Sequence, residues 1–369
     1  MKVNVTLSKD VKVNALYIFF LVHTLQVGAG IMTAPRTIAD EVSPDAWAAL
    51  LIAAVYVHFI AWIIIKTLRF YDNADLAGIH ADVFGKWIGA MLTLLFTGYI
   101  FLILLSVMMN YIEVVQVFIF PSLPTWLVAT FILTLAVYGV SGGFRVVTGI
   151  AFLLFFGAIW LTFTIAEPIR LMEWNHFTPI LQQPWENIFR GAHKSVYSLL
   201  GIEVLFFVYP YILNKDKVGR YAHIAIIATI SILILVTVAS IGYFSQDQLK
   251  HTVWPTLSMF KIIHYTFIER FDFVAVALWM AVILPNITLF LWIITENLRR
   301  LKNIKPMYSM IATATFLITS TIIIDTRQTI TRISEWASLA GLWLVFIYPV
   351  FLFLVVSLSF RFRKKRSSS

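Results

Sequence analysis

The stretch Val27-Gly28-Ala29-Gly30-Ile31-Met32-Thr33-Ala34-Pro35-Arg36 interrupts an apolar run that begins near residue 13 and ends near residue 39. Apolar runs of that length cross bilayers as helices. Two glycines, a threonine and a proline therefore sit where such a helix should be most regular. Within hydrocarbon an unpaired backbone group is costly, so irregular backbone persists only where it is buried in protein or lines a cavity. The break is the first place to look for a bound ligand.

The rest of the chain shows that the bilayer is its solvent. Of 369 residues, 60% are hydrophobic and 13% charged, about half the charged fraction of a soluble domain. The absence of cysteine excludes disulfides, thiolate metal centres and cysteine nucleophiles. Lys2, Lys9 and Lys12 ahead of the first apolar run imitate a secretory signal. The run is longer than a signal's apolar core and more spans follow, so it is read as a retained helix. Runs bounded by charge or turn residues predict an all-α membrane protein of ten transmembrane helices, a single domain over residues 1–369. The spans fall near 13–39, 46–69, 86–118, 125–140 and 145–165, then near 194–213, 219–244, 271–297, 307–325 and 334–360. Two repeats are expected, over about 13–165 and about 194–360.

A formal net charge of +9 raises nucleic acid as a partner, but its distribution points to topology instead. With ten spans, both termini lie on one side. Arg170, Arg190, Lys194, Lys250, Lys261, Arg270, Arg327 and Arg332 fall opposite the termini. Arg36 lies near the outer end of span 1, and the other 19 of the 28 basic residues fall with the termini. The positive-inside rule puts both termini in the cytoplasm. The tail Arg361–Arg366 reads as an anchor to anionic lipid. Acids including Asp40, Glu41, Asp45, Asp325 and Glu335 gather outside. Loops 166–193 and 245–270 mix aromatics with charges, as connectors at headgroup level or as a lid over an outward-facing vestibule.

Repeat-built transporters hold ligand between discontinuous helices in corresponding positions of two halves. If ten spans divide five and five, the odd number inverts the second half and span 6 is the mate of span 1. Span 6 carries Tyr197-Ser198-Leu199-Leu200-Gly201-Ile202-Glu203-Val204, with Pro210 about two turns on. It has its own mid-span glycine, beside a carboxylate. Gly28 and Gly30 can leave helical dihedrals at little steric cost. A helix restarting near Ile31 offers N–H groups and a positive dipole end to an anion such as a carboxylate, and Thr33 adds a hydroxyl. Unwinding over Ser198–Gly201 would expose carbonyls suited to an ammonium. Together they read as a receptor for a zwitterion, an amino acid being the natural candidate. The competing reading is that the glycines only let helices pack closely.

Other polar residues keep two or three readings. Glu203, costly to bury, is a proton site, a tie between the halves of span 6, or a neutral structural group. Glu113, near the outer end of span 3, reads as interfacial. His58 is a hydrogen-bonded packing residue or a relay. Asn286, after Pro285, faces the site or partners a kink. Arg36 gates with an outer acid or snorkels. The eight histidines show no metal-ligand spacing and no phosphate-binding loop is present. No enzyme activity, metal or cofactor is expected.

Several strings carry a family resemblance: Gly28-Ala29-Gly30 with Thr33, Pro35 and Arg36; Ser43-Pro44-Asp45-Ala46-Trp47; Gly85-Lys86-Trp87-Ile88-Gly89; and Leu200-Gly201-Ile202-Glu203. Val253-Trp254-Pro255-Thr256 and Phe267-Ile268-Glu269-Arg270-Phe271-Asp272 are the most specific. The chain resembles, over essentially its whole length, the endospore germination permease family. Members are the integral-membrane B subunit of GerA-type spore nutrient germinant receptors, within the amino acid–polyamine–organocation superfamily. The resemblance implies a leucine-transporter-like fold of five-plus-five inverted repeats, broken at helices 1 and 6, in the inner membrane of a bacterial spore. It implies a small nutrient, often an amino acid, as ligand, and receptor A and C subunits as partners. By motif position the nutrient would contact Gly28, Ala29, Gly30, Ile31 and Thr33 on span 1 and Ser198, Leu199, Gly201, Ile202 and Glu203 on span 6. Walls would come from Tyr99, Leu102 and Asn286. Ala46 stands where the family often has glycine. Leu199 and Ile202 flank Gly201 where aromatic or methionine residues are common, which alters the implied pocket. Three outputs stand open: a signalling receptor subunit, a proton-coupled amino-acid permease, and an ion or water conduit within the assembly.

Overall fold

The computed structural model describes residues 2–264, 268–324 and 326–367, with side chains to Arg363. Phe267, Asp325 and the side chains of Lys364, Lys365 and Arg366, which entered the motif and charge readings, lie outside the described residues. The described chain is helical apart from loops and isolated bridges at Asn4–Ala74 and Val13–Ile212. Seven of its helices are long and apolar enough to cross a membrane, and two further pairs qualify as spans bent by 54°. Thr125–Ser141, with 17 residues, is a shorter apolar helix at the low end of what a bilayer requires. This set is compatible with ten spans, and the chain is a multi-pass membrane protein.

Span 1 is the bent pair α1 (Tyr17–Gln26) and α2 (Gly30–Val42). Then come α3 (Ala46–Leu68), α4 (Leu76–Phe118), α5 (Thr125–Ser141) and α6 (Phe144–Ala158). Span 6 is α7 (Trp185–Lys194) bent against a segment holding α8 (Val196–Leu199) and α9 (Val204–Val208). The remainder is α10 (Val218–Tyr243), α11 (Phe271–Lys302), α12 (Pro306–Ile323), α13 (Arg327–Gly341) and α14 (Tyr348–Ser367). Helices α4 and α11 pack on one another at the centre, α6 lies against α11, and α10 packs on α1 and α3. Exposed Phe131, Leu153, Phe163 and Trp87 lie on the outer faces, as expected where lipid is the solvent.

Three boundaries depart from the sequence reading, each for a local reason. Helix α4 begins at Leu76 rather than 86 because the Asp75 carboxylate accepts from the Gly78 N–H at 2.7 Å. Gly85, at φ 77°, then turns the chain back on itself. A Cβ on Gly89 would lie 2.7 Å from the His80 carbonyl carbon. Helix α13 begins at Arg327 rather than 334 because the Thr326 hydroxyl accepts from the Thr329 N–H at 3.2 Å, an N-cap. That early start carries Arg327 to Glu113, which forms an ion pair with its side chain only 13% exposed. Glu113 is thus an ion-paired, partly buried group. Finally, much of loop 166–193 is helix. Gly191 of α7 packs so tightly that a Cβ there would meet Val42 Cγ1 at 2.6 Å.

Candidate functional site

The break in span 1 is held open by side chains from elsewhere. Val27 closes α1 with its N–H donating to the His23 carbonyl at 2.8 Å. The N–H groups of Gly28, Ala29 and Gly30 find no acceptor among the described residues. The Thr24 carbonyl, which a continuous helix would use internally, accepts instead from Asn286 Nδ2 of α11 at 2.9 Å. Thr256, from the 245–270 loop, donates its hydroxyl to the Ile31 carbonyl at 2.8 Å. Thr33 donates to the Gly30 carbonyl at 3.3 Å. Gly28 packs tightly on α11: a Cβ there would sit 3.3 Å from Asn286 Oδ1.

The turn of the break in span 6 is set from within. Leu200 is extended and Gly201 adopts φ +118°, a region L side chains rarely enter. A Cβ on Gly201 would also lie 2.6 Å from Leu25 Cβ. The fully buried Glu203 reaches back so that Oε2 accepts from the Gly201 N–H at 2.7 Å. Its Oε1 accepts from the Tyr99 hydroxyl of α4 at 2.8 Å. The Leu199 carbonyl accepts from Gln26 Nε2 of α1 at 3.3 Å.

The two breaks touch. A Cβ on Gly30 would lie 2.7 Å from Ser198 Cα. Around that contact the structure brings together Gly28, Ala29, Gly30, Ser198, Leu199, Gly201, Ile202, Glu203, Tyr99 and Asn286, all buried. Thr33 and Leu102 are half-buried. Gln26 and Asn286 each leave a buried amide oxygen, Oε1 and Oδ1, without a donor. The junction therefore offers unpaired donors on span 1 and unpaired acceptors beside them. It is closed in this conformation. Of the expected ligand contacts only Ile31 also lines a separate cavity of about 60 Å³, bounded by α1, α6, α10 and α11.

The structure adds detail at two further residues. Arg36 is half-buried and forms no ion pair among the described residues. The nearby acid Glu41 is held by Lys194 at 3.3 Å. His58 has a partner the sequence did not indicate: its Nδ1 lies 2.8 Å from Nδ1 of His223 on α10. Gln26 and Thr256 also went unmarked. An amide inside an apolar run was a usable signal for the first, and the Trp254-Pro255-Thr256 string for the second. Between α4 and α13 a further polar cluster joins Ser106 to Tyr197 at 2.7 Å and to Ser334 at 2.8 Å.

Comparisons with known proteins agree with this architecture. A family profile described as spore germination protein, the spore permease family, matches residues 12–330. Spore germination protein GerQB of Bacillus cereus is 33% identical over 358 residues, covering 96% of this chain and 98% of that protein. Spore germination protein A2 of Bacillus subtilis is 23% identical over 360 residues, covering 96% and 98%. Among solved structures, MhsT in complex with L-phenylalanine aligns with a TM-score of 0.64 at 13% identity, over 93% of this chain and 98% of that one. The fold is that of the leucine-transporter type. By the extent of the family match and the identity to GerQB, the chain belongs to the spore germination permease family.

Proposed function

We propose that the chain is the membrane-embedded, ligand-sensing subunit of a spore nutrient germinant receptor. A small nutrient, of amino-acid type, binds where the breaks of spans 1 and 6 meet. One observation carries this reading: unpaired N–H groups of Gly28, Ala29 and Gly30 lie at the junction with unpaired oxygens of Gln26 and Asn286. Donors suit a carboxylate and acceptors suit an ammonium. In keeping with it, the structurally similar MhsT was solved with an amino acid.

The closed contact of Gly30 on Ser198 supplies the switching element. Nutrient enters only where α2 separates from Ser198, and it then favours the separated state by its differential affinity. Driving such an equilibrium nearly completely takes a differential of roughly 10⁴-fold. Receptor A and C subunits would read the change. The site of action is the inner spore membrane, with both termini cytoplasmic, the two breaks being corresponding elements of two repeats. Glu203, tied to Tyr99 and Gly201, acts as the fixed point of span 6.

A proton-coupled permease is the second reading, favoured by the fully buried Glu203 carboxylate. Purified chain in liposomes, given labelled amino acids with and without a proton gradient, separates them. A sensor binds saturably and accumulates nothing. Concentrative uptake that disappears in Glu203→Gln would establish the permease instead.

A further inference from the structure

Span 1 has a second face, turned toward α6, α10 and α11. There the cavity noted above offers about 60 Å³ to the centre of a water-sized sphere. A single water needs roughly 10–15 Å³ on that measure, so one small organic molecule fits. Its walls are mainly apolar, with Val27, Ile31, Phe155 and Val236 among them, and no charged side chain lines it. A zwitterion or ion would be stripped of water there without compensation. Water is poorly held too, since it needs several polar partners.

The polar groups on the wall are mostly engaged. His23 shares a hydrogen bond with Thr229 at 2.9 Å, and its ring stacks on Phe19. Thr256 donates to the Ile31 carbonyl at 2.8 Å. Trp279 is 5% exposed and its indole Nε1 has no acceptor among the described residues. A buried N–H without an acceptor is rare and unfavourable. It asks for an oxygen from something else.

We infer that this cavity is a second binding site, for a small uncharged amphiphile whose oxygen accepts from Trp279 Nε1 and whose apolar body fills the space between spans 1, 5, 7 and 8. It is independent of the nutrient reading. Trp279 lies two turns before Asn286 on α11, the residue that holds the Thr24 carbonyl. An occupant braces α1 against α6 and α11 and so opposes movement of the span 1 break.

The test uses the full chain in lipid nanodiscs with a photoreactive diazirine analogue of benzyl alcohol, competed by benzyl alcohol, and labelled peptides mapped by mass spectrometry. Competable labelling is expected within 154–165 and 279–282. Trp279→Phe keeps the aromatic bulk, removes the donor and should weaken competition up to about tenfold. Ala281→Phe should fill the space and abolish it. Should Ala281→Phe not fold, Trp279→Phe decides alone. Labelling scattered over lipid-facing surfaces, or competition unchanged in folded Trp279→Phe, overturns the site.

Discussion

The two broken helices look alike in sequence and are built differently. In span 6 the turn of the break is encoded locally: Gly201 takes a backbone conformation that side chains avoid, and Glu203, two residues on, accepts its N–H, while Gln26 and Tyr99 add bonds from other helices. In span 1 the chain between α1 and α2 has no positive-φ residue, and two free carbonyls flank it, that of Thr24 at the break and that of Ile31, which Pro35 leaves without an N–H; they are met by Asn286 and Thr256, 262 and 225 residues away. A locally closed break stays put when its neighbours move. A break closed by distant side chains exists only while those neighbours stay in place. Span 6 is thus the fixed jaw and span 1 the one that a ligand can move.

The largest expected effect comes from Gly201→Ala. It combines strain at φ +118° with a Cβ at 2.6 Å from Leu25, together about 3 kcal/mol or more. Thermal unfolding of the purified protein should show it as a severe loss of stability. Gly30→Ala meets a comparable clash but no dihedral strain, so it should be tolerated better, with the junction separating. Equal damage from both would end the distinction between the jaws. Next comes Glu203→Gln, where an amide cannot accept at both ends. With Oε1 on the Gly201 N–H, the amide nitrogen faces the Tyr99 hydroxyl and leaves its proton without an acceptor, at about 1–3 kcal/mol. The same melting assay reads it, and Tyr99→Phe should be milder. Asn286→Ala frees the Thr24 carbonyl and should loosen span 1 selectively, read as faster hydrogen exchange in residues 24–31 with span 6 unchanged. Exchange rising equally in both spans would break the comparison. The smallest effect is Thr256→Val, which removes one bond to Ile31 at about 1 kcal/mol. Because it eases opening, apparent nutrient affinity should rise up to about fivefold.

Much of this was legible. Glycines at 28, 30 and 201 and the carboxylate at 203 marked both breaks, since these residue types have few other reasons to interrupt apolar runs. What holds the breaks was not. Periodicity reports which face of a helix is buried and says nothing about which distant amide reaches a freed carbonyl. Gln26 and Leu199 are 173 residues apart, and no local pattern links them. The Arg327–Glu113 pair was hidden by a misplaced helix start. Charges between 327 and 335 suggested a loop, while the Thr326 cap, a readable signal, lets the helix begin among them.

The most direct test of the central claim is equilibrium binding of a labelled amino-acid panel to the purified chain, wild type against Gly30→Val. Bulk at Gly30 occupies the contact with Ser198, where a Cβ already falls 2.7 Å from Cα. The account predicts that at least one amino acid binds the wild type saturably and that Gly30→Val, still folded by its melting profile, loses that binding. Unchanged affinity in folded Gly30→Val would place the nutrient elsewhere and contradict it.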